Sequence, residues 1–572
     1  MNGFKFSFFI AALFLLSCQS KESADLVIWN GTIHTLDDHK PKAEALVVQQ
    51  GLITFVGAAS EAKKYIGKST QTLDLQGKTL IPGFIEGHAH MIGVGDNEVN
   101  LNLSNTKNYS EVISMVREAA DKAKPGEWIK GMGWHQSKWE NPTTLVKGFP
   151  IHDSLSMVSP QNPVILNHAS GHAILVNDQA MKIANIESIE MEVSPMEKED
   201  FGEVIRDPLG NPTGVFNEAA MDQIFRHVPK PTDEDILKAI KLGNALCLRN
   251  GITSFHDAGN GAQVIDNYKR AIDKGDLKVR MYVMLDGSDS ALLNSWYSSG
   301  PLLDYGDKQL TVRSIKMYMD GALGSRGAWL LEPYEDRTDH YGHATTDPKD
   351  LYPVVLKSLE NGFQLCSHAI GDRANREVLD AYEKGFRIYP DKAQDPRFRI
   401  EHSQHIDGED IPRFAQLNVI ASMQAIHLSS DRPWAIDRLG KERIEEGAYV
   451  WQKLLQSGAV VVNGTDAPVE PISPIASFYA SVTRKTLNGE PEDGYESSQK
   501  MTRVQALRSY TLDAAYGAFE EDVKGSVEVG KLADFTVLNQ DIMTVPEEEL
   551  LKTTIVYTII NGEIVYQFEN EE

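Results

Sequence analysis

From residue 79 onward, short apolar runs rich in β-branched residues alternate with longer segments of helical periodicity. The runs occupy residues 79–86, 251–257, 278–285, 312–319, 363–369, 397–403, 419–424 and 459–465. Such alternation predicts an α/β fold, with parallel strands joined by helical crossovers. Eight units predict a (β/α)8 TIM-like barrel, whose chemistry would sit at the C-terminal ends of the strands. The gap between the first two runs is too long for one crossover. Residues from about 130 to 232 are therefore predicted as a turn-rich insertion with strand-like pieces at 164–167 and 214–216.

Both ends of the chain show a different pattern, with short alternating strands and tight turns. Asn30-Gly31, Gln50-Gly51 and Asn561-Gly562 each lie between β-rich runs and predict two-residue hairpins. Neither end alone is long enough to bury much core. One composite β-sandwich built from residues 25–81 and 526–572, enclosing a barrel over 82–525, accounts for both.

The first residues read as an address. Lys5 precedes an apolar run over residues 6–16, followed by Leu15-Leu16-Ser17-Cys18. This is the pattern of an export signal over 1–17. Its end resembles a bacterial lipobox, which would leave Cys18 lipidated and residues 18–24 as a polar tether. The expectation is an exported, membrane-anchored lipoprotein facing the periplasm or the cell exterior. Cys247 and Cys366 fall in a helical and a strand pattern and read as small buried residues. Lys plus Arg total 56 against 81 Asp plus Glu, a net charge of −25. That excess excludes nucleic acid as a partner, which would require a positive footprint.

Ionisable residues stand where a barrel keeps its active site. The first run ends in Glu86-Gly87-His88-Ala89-His90, the fourth carries Lys316, the fifth reaches His368, the sixth His402 and the eighth Asp466. Each alone has an ordinary explanation. Random placement of 16 His over 572 residues yields about 0.4 His-x-His, and an Asp after a strand is usually a helix cap. Lys316 is harder to set aside, because barrel strands are buried on both faces and an unpaired buried ammonium is costly. It needs a carboxylate partner or a chemical role. His-x-His on a strand points two imidazoles to one face, where they can bind a divalent ion. Asp466 adds an oxygen, two further His can hold a second ion, and a lysine carbamate would be stabilised between two cations.

These residues carry a resemblance. The strings PGFIEGHAH (82–90), GITSFHDAG (251–259), DGALGSRGA (320–328), HAIGD (368–372), IEH (400–402) and NGTDAP (463–468), with GMGW (131–134) and GHA (171–173), are similar to the amidohydrolase superfamily. The likeness is to amidohydrolase family 3, the branch of N-substituted formamide deformylase. Glu86-Gly87 stands where Asp-Ser is commoner, and Thr465 where Ser is commoner. The resemblance implies a barrel with a composite sandwich. It also implies one metal on His88, His90 and Asp466, a second on His368 and His402, and a carboxylated Lys316 bridging them. The expected cofactor is two zinc ions per chain, though the ligand types suit other divalent metals. A mononuclear site on His88, His90, His368 and Asp466 stays open as an alternative.

The expected reaction is hydrolysis of a non-peptide C–N bond in a small-molecule amide or formamide, with Asp466 carrying the proton. A cyclic-amide hydrolase or deaminase on the same scaffold is the alternative, and a non-catalytic binding lipoprotein a third. Trp134, His172, Arg326 and Asp372 are candidate substrate contacts, with core packing, a surface turn and ion pairing as the competing explanations. His256 and His405 are candidate partners that orient ligands.

Overall fold

The computed structural model describes residues 24–140, 145–169, 171–186 and 202–569. The expected signal, tether and lipidation site at Cys18 lie outside the described residues, apart from Ala24. Among the described residues no helix is long and apolar enough to cross a membrane.

Eight parallel strands form the barrel sheet in chain order: Phe84–Ala89, Ile252–Asn260, Arg280–Asp286, Leu310–Tyr318, Gln364–Ala369, Arg399–His402, Ile420–Met423 and Val461–Asn463. They are termed barrel strands one to eight below. A short antiparallel strand, Leu302–Asp304, pairs with the fourth. Strands such as Gln364–Ala369 are buried along their whole length, as expected for strands covered on both faces. Amphipathic helices supply that cover. The one over Asp233–Arg249 starts at a Thr232 capping box and buries Ile236, Ile240 and Cys247. Cys247 and Cys366 are both free and buried.

The terminal strands form a separate eight-stranded sheet. Its path is Glu563–Gln567, Ile555–Ile560, Phe535–Leu538, Thr79–Pro82, Leu26–His34, Lys42–Gln49 and Leu52–Gly57, with Gln71–Asp74 alongside Leu26–His34. The run at 79–86 is thus two strands. Its first half joins the terminal sheet and its second half opens the barrel, with Gly83 between them. A Cβ at Gly83 would meet Thr253 Oγ1 at 2.2 Å, so the chain can pass there only without a side chain. Arg280 ties the two bodies together. It is buried, donating Nε to Asp534 Oδ2 at 2.7 Å and Nη2 to Asp534 Oδ1 at 3.1 Å.

Gln50-Gly51 and Asn561-Gly562 are hairpin turns with positive φ at both residues. Asn30-Gly31 is not. Leu26–His34 continues through it as one strand, with a register shift between Trp29 and Ile33. Asn30 takes a φ of 63°, so the flexible pair makes a bulge instead of a reversal.

A third sheet, in the order Val204–Arg206, Pro212–Asn217, Ala173–Val176, Val164–His168, Ile129–Trp134 and Leu101–Asn102, forms the insertion. It begins earlier than the sequence pattern placed it. Leu101–Asn102 is already its edge strand, and helix Tyr109–Lys122 packs on it through Val112 and Val116.

Candidate metal centre

His88 and His90 end the first barrel strand two residues apart and face the same side. His88 is buried and His90 about a third exposed. Asp466 follows the eighth strand in a left-handed conformation, with φ 56°. Its Oδ1 lies 3.2 Å from His90 Nε2 and 3.7 Å from His88 Nε2. His402 ends the sixth strand, also left-handed at φ 74°. Such backbone costs of order 1–3 kcal/mol per residue and concentrates at functional sites. The His402 ring centroid lies 5.1 Å from that of His88 and 4.4 Å from that of His368. Lys316, buried on the fourth strand, places Nζ 3.1 Å from His88 Nε2. The six residues read from the sequence as metal site therefore converge on one end of the barrel.

The ring nitrogens are oriented from behind. His88 Nδ1 donates to Glu401 Oε2 at 2.6 Å. Glu401 in turn accepts two hydrogen bonds from Arg399, at 2.7 and 2.9 Å. With Nδ1 so engaged, Nε2 carries the lone pair that faces the site. His90 Nδ1 is held by the Ala258 carbonyl at 3.1 Å and His402 Nδ1 by Gln424 Oε1 at 2.7 Å. His368 Nε2 lies 3.3 Å from Asp320 Oδ1, and Asp320 also accepts from the backbone N–H of Trp329, Ile370 and Gly371.

Burial sets the protonation states. It pushes His88 down to about 4, helped by the Lys316 ammonium. His402 is pushed well below the usual histidine range by burial and by His368 beside it, and His368 is lowered by burial too. Burial also lowers Lys316. The Asp466 carboxyl responds to opposing influences. Burial works to raise it, but the His427 and His90 imidazoles outweigh that and hold it well below the usual carboxylate range. Neutral imidazoles and an ionised carboxylate are the forms that ligate metal.

The donor set fits a divalent cation. His88, His90 and Asp466 each offer a ligand atom within 4.8 Å of the others; His402 and His427 lie as close to Asp466, but Asp466 and Glu470 keep His427 protonated, a form that does not ligate. Asp466 Oδ1 and His368 Nε2 are buried without a hydrogen-bond partner. The close approaches of His90 and Asp320 noted above lack hydrogen-bond geometry. Buried polar atoms are normally satisfied, and a cation would satisfy these.

His427 was not singled out in the sequence. It lies just past the seventh strand, in the first turn of helix Ala425–Gly447. Its Nε2 is 3.7 Å from Asp466 Oδ2 and its Nδ1 3.7 Å from Glu470 Oε1. Burial would lower it, but Asp466 and Glu470 override that and raise it to about 10. The available signal was Gln424-Ala425-Ile426-His427 directly after the seventh apolar run. Glu401, likewise missed, stands inside a motif already quoted.

The expected substrate contacts divide. Trp134 is a core residue of the inserted sheet. It is fully buried, donates Nε1 to the Leu166 carbonyl at 2.9 Å and packs beside Trp139. Arg326 pairs with Asp336, at 3.1 and 2.8 Å, and not with Asp320 or Asp372. Asp372 accepts from the Leu331 N–H at 2.8 Å, and His405 Nε2 lies 3.4 Å from its Oδ2. These are structural engagements for Arg326, Asp372 and His405 alike. His172 does reach toward the barrel. Its Cε1 would lie 3.2 Å from a Cβ on Gly321, and its Nδ1 meets Glu218 Oε2 at 2.9 Å. Burial alone would lower it, but Glu218, with Asp320 and Asp466 nearby, raises it. His256 touches no ligand, and its Nδ1 meets Arg399 Nη1 at 3.0 Å.

Comparison with known proteins gives a consistent picture. A sequence model described as amidohydrolase family matches residues 71–566. The chain is 31% identical over 551 residues to the putative amidohydrolase YtcJ of Bacillus subtilis, spanning 94% of this chain and 99% of that one. It is 25% identical to the N-substituted formamide deformylase of Arthrobacter pascens, over 95% and 98% of the two chains. Among solved structures, an uncharacterized metal-dependent hydrolase from Pyrococcus horikoshii superposes with a TM-score of 0.73. It shares 25% identity and aligns over 91% of this chain and 99% of that chain.

Proposed function

Because the chain belongs to the amidohydrolase family, we propose that it is a metal-dependent hydrolase cleaving a non-peptide C–N bond of a small amide or formamide. The observation that carries this is the convergence of His88, His90 and Asp466, with Asp466 Oδ1 buried and unsatisfied. The names of two relatives, a formamide deformylase and a metal-dependent hydrolase, support it.

In this reading His88, His90 and Asp466 hold one divalent ion. His402, with His368 and a carboxylated Lys316, holds the second, and zinc is the proposed metal. Bound there, such ions would supply carbonyl polarisation and a water acidic enough to ionise near neutral pH. The chain's own residues do the rest. Glu401 keeps His88 in the tautomer that leaves Nε2 free. Asp466 accepts the proton of the attacking water and returns it to the departing nitrogen, which is a poor leaving group until protonated. His427, on the opposite oxygen of Asp466, fixes the direction of that carboxylate. Export and lipid anchoring at Cys18 are proposed alongside, on the strength of the apolar run ending in Leu15-Leu16-Ser17-Cys18.

The test is a substrate panel on purified, metal-loaded protein. N-formyl and N-acyl amines are compared with cyclic amides and amino-heterocycles, with ammonia assayed separately. Turnover of the acyclic amides without ammonia from heterocycles supports the reading. Ammonia release from heterocycles alone replaces it with a deaminase.

A further inference from the structure

Barrel strands one to eight pair in an unbroken path that stays open between the eighth and the first. The metal ligands nevertheless straddle that seam, with His88 and His90 on one side and Asp466 on the other. We propose that Glu86 is a positioning residue whose carboxyl group clasps the seam and sets the spacing between those two halves of the ligand set. This rests on the reading that the three residues hold a cation.

Glu86 lies two residues before His88 on barrel strand one, where the pairing with the second strand shifts register between Glu86 and Ala89, and its side chain is fully buried. Its Oε1 accepts from the backbone N–H of Thr465 at 2.6 Å and of His88 at 3.3 Å. Its Oε2 accepts from Thr465 Oγ1 at 2.9 Å. One side chain thus bonds the backbone of His88 on one side of the seam and of Thr465, next to Asp466, on the other, across 379 positions of sequence. Two backbone bonds flank it, from Asp466 N to His88 O at 2.7 Å and from His90 N to Ala467 O at 2.8 Å.

The surroundings are cut to admit this contact. A Cβ on Gly464 would meet Glu86 Oε1 at 2.5 Å and His88 N at 2.6 Å, and one on Gly87 would meet Asn463 O at 2.4 Å. Neither contact is tolerable, so both glycines are needed for the strands to approach. Glu86-Gly87 and Thr465, where the sequence departs from the commoner family pattern, are the two sides of this one contact. Without the carboxyl group, two buried N–H groups lose their acceptor, and the Thr465–Asp466 turn loses its tie to strand one.

The experiment titrates Zn²⁺ against a chromophoric chelator, using the full chain as wild type, Glu86→Ala, Glu86→Gln, Thr465→Val and the Glu86→Ala/Thr465→Val pair. Melting of each metal-free form verifies folding. Glu86→Ala is expected to weaken zinc binding 10–100-fold, the range for residues that orient ligands. Glu86→Gln keeps an oxygen for the N–H groups and is expected to stay within about threefold of wild type. Thr465→Val should weaken binding less than Glu86→Ala, and the double variant should fall short of the sum of the two, a remainder being expected because Thr465 Oγ1 also accepts from Ala467 N at 3.2 Å. A folded Glu86→Ala with wild-type affinity overturns the clasp. So does a Thr465→Val effect that adds in full to that of Glu86→Ala, or a Gln variant as weak as the Ala variant. If Glu86→Ala does not fold, Gln and Thr465→Val decide: affinity unchanged in Thr465→Val overturns the proposal, and a loss there with Gln retained supports it. A wild type that binds no zinc fails the metal reading itself, which is a separate result.

Discussion

Replacing Glu401 by Gln changes one atom of the buried relay behind His88 and tests how that relay works. Glu401 is fully buried between two donors. Arg399 reaches it through Nε and Nη2, and His88 through Nδ1. Burial works to raise its carboxyl, but Arg399 and His88 override this and hold it well below the usual range. A glutamine must aim its NH2 at one of those donors. If it faces Arg399, two donors collide beside a guanidinium that has lost its counter-charge. If it faces His88, Nδ1 must become the acceptor and the proton moves to Nε2, which then cannot ligate. Removing one partner of a buried ion pair costs about 3–5 kcal/mol. Misorienting a ligating histidine costs about 10–100-fold in metal affinity, or about 1.4–2.7 kcal/mol. Urea unfolding of the metal-stripped protein reads the first effect and chelator competition reads the second. Wild-type values for both in Glu401→Gln would refute the relay.

Three further outcomes follow from the same geometry. His427→Asn is expected to lower kcat about 10–100-fold with KM within about threefold, because it frees Asp466 Oδ2 without removing a substrate contact; steady-state kinetics decide, and unchanged kcat contradicts it. Trp134→Ala should destabilise the protein by about 3–5 kcal/mol through loss of a fully buried indole, while leaving KM unchanged in the folded fraction; a KM rise without a melting shift would restore it as a substrate contact. Burial lowers His88 to about 4 and also depresses His402 and His368, so at these three rings protons compete with metal only below the ordinary histidine value of 6.5. Zinc retained on dialysis should accordingly hold from pH 7.5 to about 5.5 and fall below that; half-release at 6.5 or above would show ordinary, solvated imidazoles.

The barrel was legible because its signal is local. Each strand is a short apolar run ended by helical periodicity, and eight of them leave few topologies. The candidate ligands could be picked out for the same reason, since His88, His90, His368, His402 and Asp466 fall at or just past strand ends and Lys316 lies two residues before one, and the structure brings all six to one end of the barrel. What failed depended on partners that neither periodicity nor motif reveals. Asn30-Gly31 has the composition of a turn, but parallel partners at Gln71–Asp74 and Thr79–Pro82 hold Leu26–His34 straight. Arg326 and Trp134 stand in motifs beside the site, yet Asp336 and the core around Trp139 claim them. Both neighbours lie within ten residues, but only the fold of the loop shows that they are met. His427 was within reach of the same reasoning, because it follows the seventh apolar run as Asp466 follows the eighth. The early start of the insertion was hidden by the brevity of Leu101–Asn102, a two-residue strand with no period to detect.

The proposed chemistry requires that His88, His90 and Asp466 share a cation. Zinc bound per chain, measured by mass spectrometry after equilibrium dialysis of wild type and of a folded His90→Ala variant, tests this most directly. The expected result is at least one equivalent retained by wild type and a loss of at least tenfold in affinity in the variant. Wild type without bound metal, or a variant indistinguishable from it, would contradict the account.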